Sequence, residues 1–479
     1  MIEWGLENGI EWNKSLECFD FKDTGRGVIA NNDIKENEIL ISIPSKYLIH
    51  SHSKFSIPSL NIPELNNSDS SNSSSSSDDI YTPFHNCLKK LNSKQRISLI
   101  LIIEKLIKKH SIWFNYLNEL PDDYTITSTY SDEEIESLSY PIYVESSKKL
   151  KNEMLNSFKL FCEIFQLYYG TDLDRVVIEL NDLQVKLSDI LNKELYIWCW
   201  GTIQTRTYFY DKNMKKNNSK ENNEEKDDCT LVPLADLFNH TSNVETEALF
   251  NDELNCYQVK TKTPFSKGSQ VFISYGKHSN FTLMNYYGFI IENNDQDSIP
   301  LLQSNCIPTE FAVPPTSSDE AKLYEKKIGI LNNYGLSIYS DGKFLVMQDE
   351  KLPFSWNYLT VLKVLYMTKE EINNQLELNL FHYDEPISKN NENLVLSFLE
   401  NLTENQLSFF KNTKTKLNSN NISRFEITYL INSNIKTWEC CKLWLEQQQK
   451  NINQNAKEKS TNLVKTTTPK KSTKKSSKK

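Results

Sequence analysis

Leu231-Val-Pro-Leu-Ala-Asp-Leu-Phe-Asn-His-Thr241, with Val271-Phe-Ile-Ser-Tyr-Gly-Lys-His-Ser-Asn280 and Asn285-Tyr-Tyr-Gly-Phe289 downstream, is the stretch on which the fold turns. Between Leu231 and Ile291 short β-type runs alternate with turns at Asn251-Asp252 and Lys267-Gly268, so this segment reads as strands. Just before it, residues 211–228 form a polar, solvated insert. Earlier still, from Phe84 to about Tyr210, apolar residues recur at helical spacing: Leu88, Leu91, Ile97 to Leu106, then Leu155, Phe158, Phe161, Phe165 and Tyr168. Strands come first of all. Residues 26–44 hold two β-branched runs around a polar turn, which predicts a hairpin. Beyond Pro300 helical patterns return at 319–333, 355–368, 392–411 and 422–448. The order β, α, β, α predicts an α+β protein. Residues 1–300 would form a β-rich domain with a helical insert at about 84–210, residues 301–450 an all-α domain, and residues 451–479 a disordered basic tail.

Composition narrows the field of functions. The chain of 479 residues is long enough for two or three domains of ~150 residues. Nine cysteines, an odd set without a C-x-x-C pair, argue against a disulfide framework and a structural zinc site, so no metal is expected. The longest apolar run, Ile97 to Ile103, includes Ser98 and ends at Glu104 and Lys105, well short of the ~20 residues of a bilayer span. No membrane role is expected. The start, Met1-Ile2-Glu3, opens no basic-then-apolar leader, which points to the nucleus or cytoplasm. Residues 66–79, NNSDSSNSSSSSDD, are a low-complexity insert that buries too little apolar surface to offset the entropy of ordering.

Charge is unevenly placed. The net value is −9, yet residues 456–479 hold nine lysines against one glutamate, so the rest of the chain is more acidic than the whole. An acidic body attracts a basic peptide partner and does not suit nucleic acid. The lysine-rich tail offers phosphate attraction or a nuclear-localisation signal, but it has no interleaved aromatics for base stacking. Nucleic-acid contact is therefore expected only through the tail, and the protein is expected to be a monomer.

Glycine is scarce, 12 in the whole chain, so each marks a place where the backbone needs one. Gly25-Arg26-Gly27 is a tight turn through which a flat ligand could reach main-chain groups. Taken singly, the notable residues have plain readings: a hairpin turn for this triplet, a buried structural histidine for His240, a half-buried strand aromatic for Tyr275, and a solvated or ion-paired side chain for Arg206. Asn239-His240-Thr241 also spells a glycosylation sequon, which is not expected to be used where no secretory leader is expected. Order and combination change these readings. Gly25-Arg26-Gly27-Val28, Asp236-Leu-Phe-Asn239-His240, Tyr275-Gly-x-x-Ser279-Asn280 and Tyr287-Gly288-Phe289 together resemble the SET-domain protein lysine methyltransferases of the split type, the group that includes the Rubisco large-subunit methyltransferase. The likeness covers about residues 20–450. Thr205-Arg206-Thr207-Tyr208 resembles that family's Ser-Arg segment with Thr for Ser, and Lys326-Lys-Ile-Gly-Ile-Leu331 with Trp356 resembles its SET domain-containing protein 4 branch.

The resemblance implies a SET fold split by the helical insert, a helical substrate-binding domain and S-adenosylmethionine as cofactor. By the same resemblance, Thr24, Gly25 and Arg26 contact the cofactor through the backbone. Arg206 faces its carboxylate, and Asn239 and His240 hold its methionine and adenine ends. Asp236 supports the Asn-His turn, Tyr275 is the catalytic tyrosine, also touching cofactor, and Tyr287 is the second tyrosine of the methyl-transfer channel. The cysteine-rich zinc segment of many chromatin SET enzymes is absent, as it is in the split group.

The chemistry agrees with these residue types. Methyl transfer from a sulfonium to an amine is an in-line displacement that needs donor and acceptor held about 3–3.5 Å apart. A lysine near pKa 10.4 must first lose a proton, at ~4.6 kcal/mol at pH 7. An apolar channel lowers that cost, and tyrosines line such a channel while offering a single hydroxyl to orient the amine. The expected function is therefore lysine N-methylation of a protein substrate, histone or non-histone. Alternatives are a protein-histidine N-methyltransferase and a catalytically silent SET-fold module that only binds a protein partner.

Overall fold

Strand Ile39–Pro44 lies inside a four-stranded antiparallel sheet ordered Glu11–Trp12, Ile39–Pro44, Cys256–Thr261, Thr246–Asn251. Its Leu40, Ile41 and Ile43 are all buried, as expected for a β-branched run in the middle of a sheet. In this computed structural model, residues 1–61, 81–180, 183–210, 229–339, 343–374, 386–419 and 424–466 are described. The inserts expected at 66–79 and 211–228, and residues 467–479 of the basic tail, lie outside the described residues.

The hairpin expected over 26–44 does not form. Both runs are strands, but Gly25–Ala30 pairs with Leu16–Phe21, from Phe21 opposite Gly25 to Leu16 opposite Ala30. Ile39–Pro44 takes Glu11–Trp12 and Cys256–Thr261 as its neighbours instead. The connection Lys22–Thr24 is shorter than the polar stretch 31–38, and Gly25 turns the chain back at φ +66°, where a side chain would be strained. Local pattern marks a strand but does not choose its partner.

The chain divides into two compact units: residues 1–135 with 144–292, and residues 136–143 with those from 293 on. In the first, helix Ser93–Leu106 starts in a reciprocal cap between Asn92 and Gln95 and is buried along its length. It packs on helix Lys193–Arg206, whose last residue is Arg206. A helical core around Ile100, Phe161, Phe165 and Tyr196 lies beside a strand core around Val28, Ile41, Phe238 and Val271. One antiparallel pair, Val177–Leu180 with Leu183–Lys186, interrupts the block read as wholly helical.

The second unit is built on helices Ser318–Asn333, Trp356–Leu365, Lys389–Ser419 and Phe425–Thr466. In Lys389–Ser419 the buried positions Leu396, Leu399, Leu402, Phe410 and Leu417 make one apolar stripe, which packs on helix Phe425–Thr466. A small pair, Ser298–Pro300 with Leu345–Met347, adds β-structure that an all-α reading did not include. Helical backbone continues through residues 451–466, part of the stretch read as a tail. No helix among the described residues is long and apolar enough to cross a membrane.

Candidate active site

A short parallel pair, Asn239–His240 with Phe272–Ile273, brings two of the quoted words side by side. The chain reaches it through Ala235–Leu237, a single 3₁₀ turn entered from Leu234 at φ +72°. A buried leucine in the left-handed region is strained, and such strain concentrates where a turn must aim functional groups. This turn presents Asp236 and then Asn239.

Asn239 ties the strand pair to the glycine triplet. Its Nδ2 donates to the carbonyls of Thr24 at 3.3 Å and Arg26 at 3.1 Å. A Cβ on Gly27 would come within 2.8 Å of that nitrogen and 2.6 Å of Gln270 Nε2, so only glycine allows this approach. Gln270 Oε1 accepts from the Thr24 hydroxyl at 3.0 Å. The Arg26 side chain turns to Glu119, whose carboxylate it meets at 2.8 Å.

A cavity of about 470 Å³ opens against this turn, within the ~300–1,000 Å³ typical of small-molecule and cofactor sites. Arg206, Asp236, Asn239, Tyr275 and Tyr287 line it together. Thr24, Gly25 and Arg26 are not in its wall and reach it only through Asn239. His240 is not in the wall either: it lies behind Tyr275, the two rings stacked with centroids 4.9 Å apart. Tyr275 in turn stacks on Tyr287 at 5.3 Å, and Phe289 closes the aromatic cluster. The Tyr275 hydroxyl donates to the Phe238 carbonyl at 2.7 Å.

Electrostatics hold these groups in defined states. Burial pushes the Tyr275 hydroxyl well above its ordinary value, with Arg206 opposing and Asp236 adding, so it stays protonated. Burial also raises Tyr287. Burial is the largest influence on Arg206 and works against its charge, but Asp236, 3.0 Å from Nη1, together with Tyr124 and Tyr116 outweighs it, and the guanidinium stays cationic. His240 moves the other way: burial lowers its pKa, as does His278, against the Ile273 carbonyl.

Tyr208, Phe209 and Tyr124 stand in the wall although the sequence assigns none of them a role there. The Tyr208 hydroxyl donates to the Ala235 carbonyl at 2.8 Å. Phe209 follows it in the wall. Tyr124 comes from the helical insert and packs over Gly201, where a Cβ would fall 2.5 Å from the ring. A glycine inside a helix, in a chain with so few, was the available clue.

The groups present fit an S-adenosylmethionine-sized ligand with an anionic end. Arg206 lines the cavity, and its Nε is buried without a partner among the described residues, a donor that calls for an acceptor from outside the protein. The SET domain family profile matches residues 25–276, more than half of the chain. The chain belongs to the SET-domain family. A second profile, described as Rubisco LSMT substrate-binding, matches residues 318–457 in the helical unit downstream of the SET domain. SET domain-containing protein 4 of Mus musculus is 24% identical over 406 residues, covering 84% of this chain and 79% of its own. Its Homo sapiens counterpart is 25% identical over 380 residues, 76% and 73%. Actin-histidine N-methyltransferase of Homo sapiens is 23% identical over 425 residues, 86% of this chain and 61% of its own length. The crystal structure of the SET domain of LSMT bound to lysine and AdoHcy superposes with a TM-score of 0.54 at 18% identity, covering 95% of this chain and 92% of that one. At that identity the likeness shows the fold. This is a SET-domain methyltransferase, and SET methyltransferases use S-adenosylmethionine.

Proposed function

We propose that this SET-domain protein methylates a lysine side chain of a protein substrate. The observation that carries the reading is the joining in one cavity of Arg206, whose buried Nε has no partner among the described residues, Asn239 bound to the carbonyls of Thr24 and Arg26, and the stacked Tyr275 and Tyr287. Bound S-adenosylmethionine supplies an electrophilic methyl group on a sulfonium. Arg206 takes the carboxylate of that cofactor, Asn239 keeps the glycine turn in place for its backbone contacts, and His240 supports Tyr275 from behind.

Tyr275 orients the acceptor. Because its proton is given to the Phe238 carbonyl, the hydroxyl oxygen presents lone pairs and accepts an N–H from the neutral amine. The amine's own lone pair is then free to face the methyl group. A hydroxyl held this far above its ordinary pKa is not the base, so the acceptor loses its proton before transfer, helped by the aromatic walls of Tyr275, Tyr287 and Phe289.

The likeness to an actin-histidine N-methyltransferase motivates a second reading, histidine as the acceptor. Retention of Tyr287-Gly288-Phe289 in the aromatic cluster favours lysine. The deciding experiment incubates the purified protein with isotope-labelled S-adenosylmethionine and a cell lysate, and locates the label by mass spectrometry. Label on lysine is expected; label on histidine replaces the acceptor, and no transfer to any protein favours a silent binding module.

A further inference from the structure

Two donors meet on one oxygen at the back of the cavity. Tyr116, from the short helix Phe114–Leu117 of the insert, donates its hydroxyl to Asp236 Oδ2 at 3.0 Å. Arg206 Nη1 donates to the same atom at 3.0 Å and to the Asp236 carbonyl at 3.2 Å. All three are withdrawn from water: Tyr116 is 1% exposed, and the side chains of Asp236 and Arg206 are 4% and 21% exposed. Tyr116 itself is not in the cavity wall.

The pairing is unusual for these partners. An arginine and a carboxylate favour a two-bond, parallel arrangement. Here Arg206 gives the carboxylate a single nitrogen; the Tyr124 hydroxyl also interacts with the guanidinium, yet the buried Nε makes no well-formed hydrogen bond among the described residues. A buried donor left open is costly, so something must prevent Asp236 from swinging over to take it. The Tyr116 hydroxyl, donating to Oδ2 at 3.0 Å, is that restraint.

We propose that Tyr116 is a positioning residue: it pins Asp236 in the one-bond pairing and thereby keeps the Arg206 Nε–H open for the carboxylate of the cofactor's methionine moiety. The proposal rests on the reading of Arg206 as the residue that faces that carboxylate. Without the hydroxyl, Oδ2 loses one of its two side-chain donors, and the aspartate recovers a second bond by pairing side-on with Nε. The cofactor's anionic end then competes with an internal carboxylate.

The test compares S-adenosylmethionine with its decarboxylated form, by calorimetry, on wild-type protein and Tyr116→Phe. Wild type should bind the carboxylated form roughly tenfold or more tightly, the size of a lost charge-assisted bond. In Tyr116→Phe that preference should shrink to about twofold or less, with affinity for the decarboxylated form unchanged. A purely structural role would weaken both ligands alike. Full retention of the preference in Tyr116→Phe, whatever happens to thermal stability, overturns the proposal. Wild type that binds S-adenosylmethionine without preferring it overturns the proposal but leaves the methyltransferase reading standing, whereas wild type that binds neither ligand overturns both.

Discussion

The Tyr275 amide donates to His240 Nδ1 at 3.0 Å while the two rings stack 17° from parallel. Nδ1 also lies 3.4 Å from the Ile273 carbonyl, but the shorter contact requires it to accept, so the ring proton sits on Nε2 and the imidazole is neutral. Strand backbone, histidine and tyrosine are thereby locked as one piece behind the cavity.

This locking makes stability depend on pH. The folded-state pKa of His240 lies below the ordinary 6.5, chiefly through burial, so below pH 6.5 the unfolded chain binds the proton more readily. The contribution is whole above that pH and is lost as pH falls towards the folded-state value. Denaturant midpoints measured from pH 8 to 5 should fall more steeply for wild type than for His240→Asn, whose amide oxygen can accept the same N–H. Equal slopes would show that His240 is not the titrating group.

Tyr275→Phe deletes the hydroxyl that meets the Phe238 carbonyl and keeps both ring stacks. Turnover should drop ~100-fold or more with cofactor affinity intact, since the lost bond acts on the reacting geometry. Near-normal kcat in a labelled-methyl assay would remove Tyr275 from its catalytic role and make Tyr287 the next candidate.

Asn239→Ala and Gly27→Ala attack the same junction from opposite sides. The first removes the two bonds to the Thr24 and Arg26 carbonyls; the second drives a methyl group into the Asn239 and Gln270 amides. Each should weaken S-adenosylmethionine binding by about tenfold, in line with losing one to two hydrogen bonds. For Gly27→Ala the atoms met first are ends of side chains, so thermal stability should change little. A large loss of stability with unchanged cofactor affinity would contradict this account.

Gly201→Ala sets helix propensity against packing. Alanine in a helix interior is favoured over glycine by about 1 kcal/mol. The new methyl would, however, stand 2.5 to 2.8 Å from Tyr124 ring and Cβ atoms, an overpacking of ~1–3 kcal/mol. Thermal denaturation should therefore show a net loss of stability, and cofactor binding should weaken as Tyr124 is pushed from its place in the cavity wall. Stabilisation by Gly201→Ala would mean that Tyr124 is free to move aside.

Much of the fold was legible because it is written in local periodicity: the helices at 318–333, 356–365, 389–419 and 425 onward follow the apolar spacing closely. The parts that were not legible are the strand pairings, whether across a short connection or between distant segments. Residues 26–30 and 39–44 read as strands and are strands, yet they do not pair with each other, because pairing is decided by which strands bury a common face. The pairs Val177–Leu180 with Leu183–Lys186 and Ser298–Pro300 with Leu345–Met347 are too short to show a period.

For the site, Asp236, Asn239, Tyr275 and Tyr287 were candidates in the linear chain because each sits in a short, distinctive word, and the structure brings all four to one cavity. Tyr116 and Tyr124 were invisible there. A tyrosine in a helical insert has the same sequence signature whether it fills a core or restrains a carboxylate, and the difference arises only when 120 residues of chain bring Tyr116 to Asp236. The amino-acid sequence by itself determined most of the helices, the family and the candidate residues for handling a methyl donor. The tertiary structure alone decided which of them share a cavity and which donor on Arg206 stays open, because hydrogen bonds between buried groups depend on ångström-scale placement that no local pattern encodes.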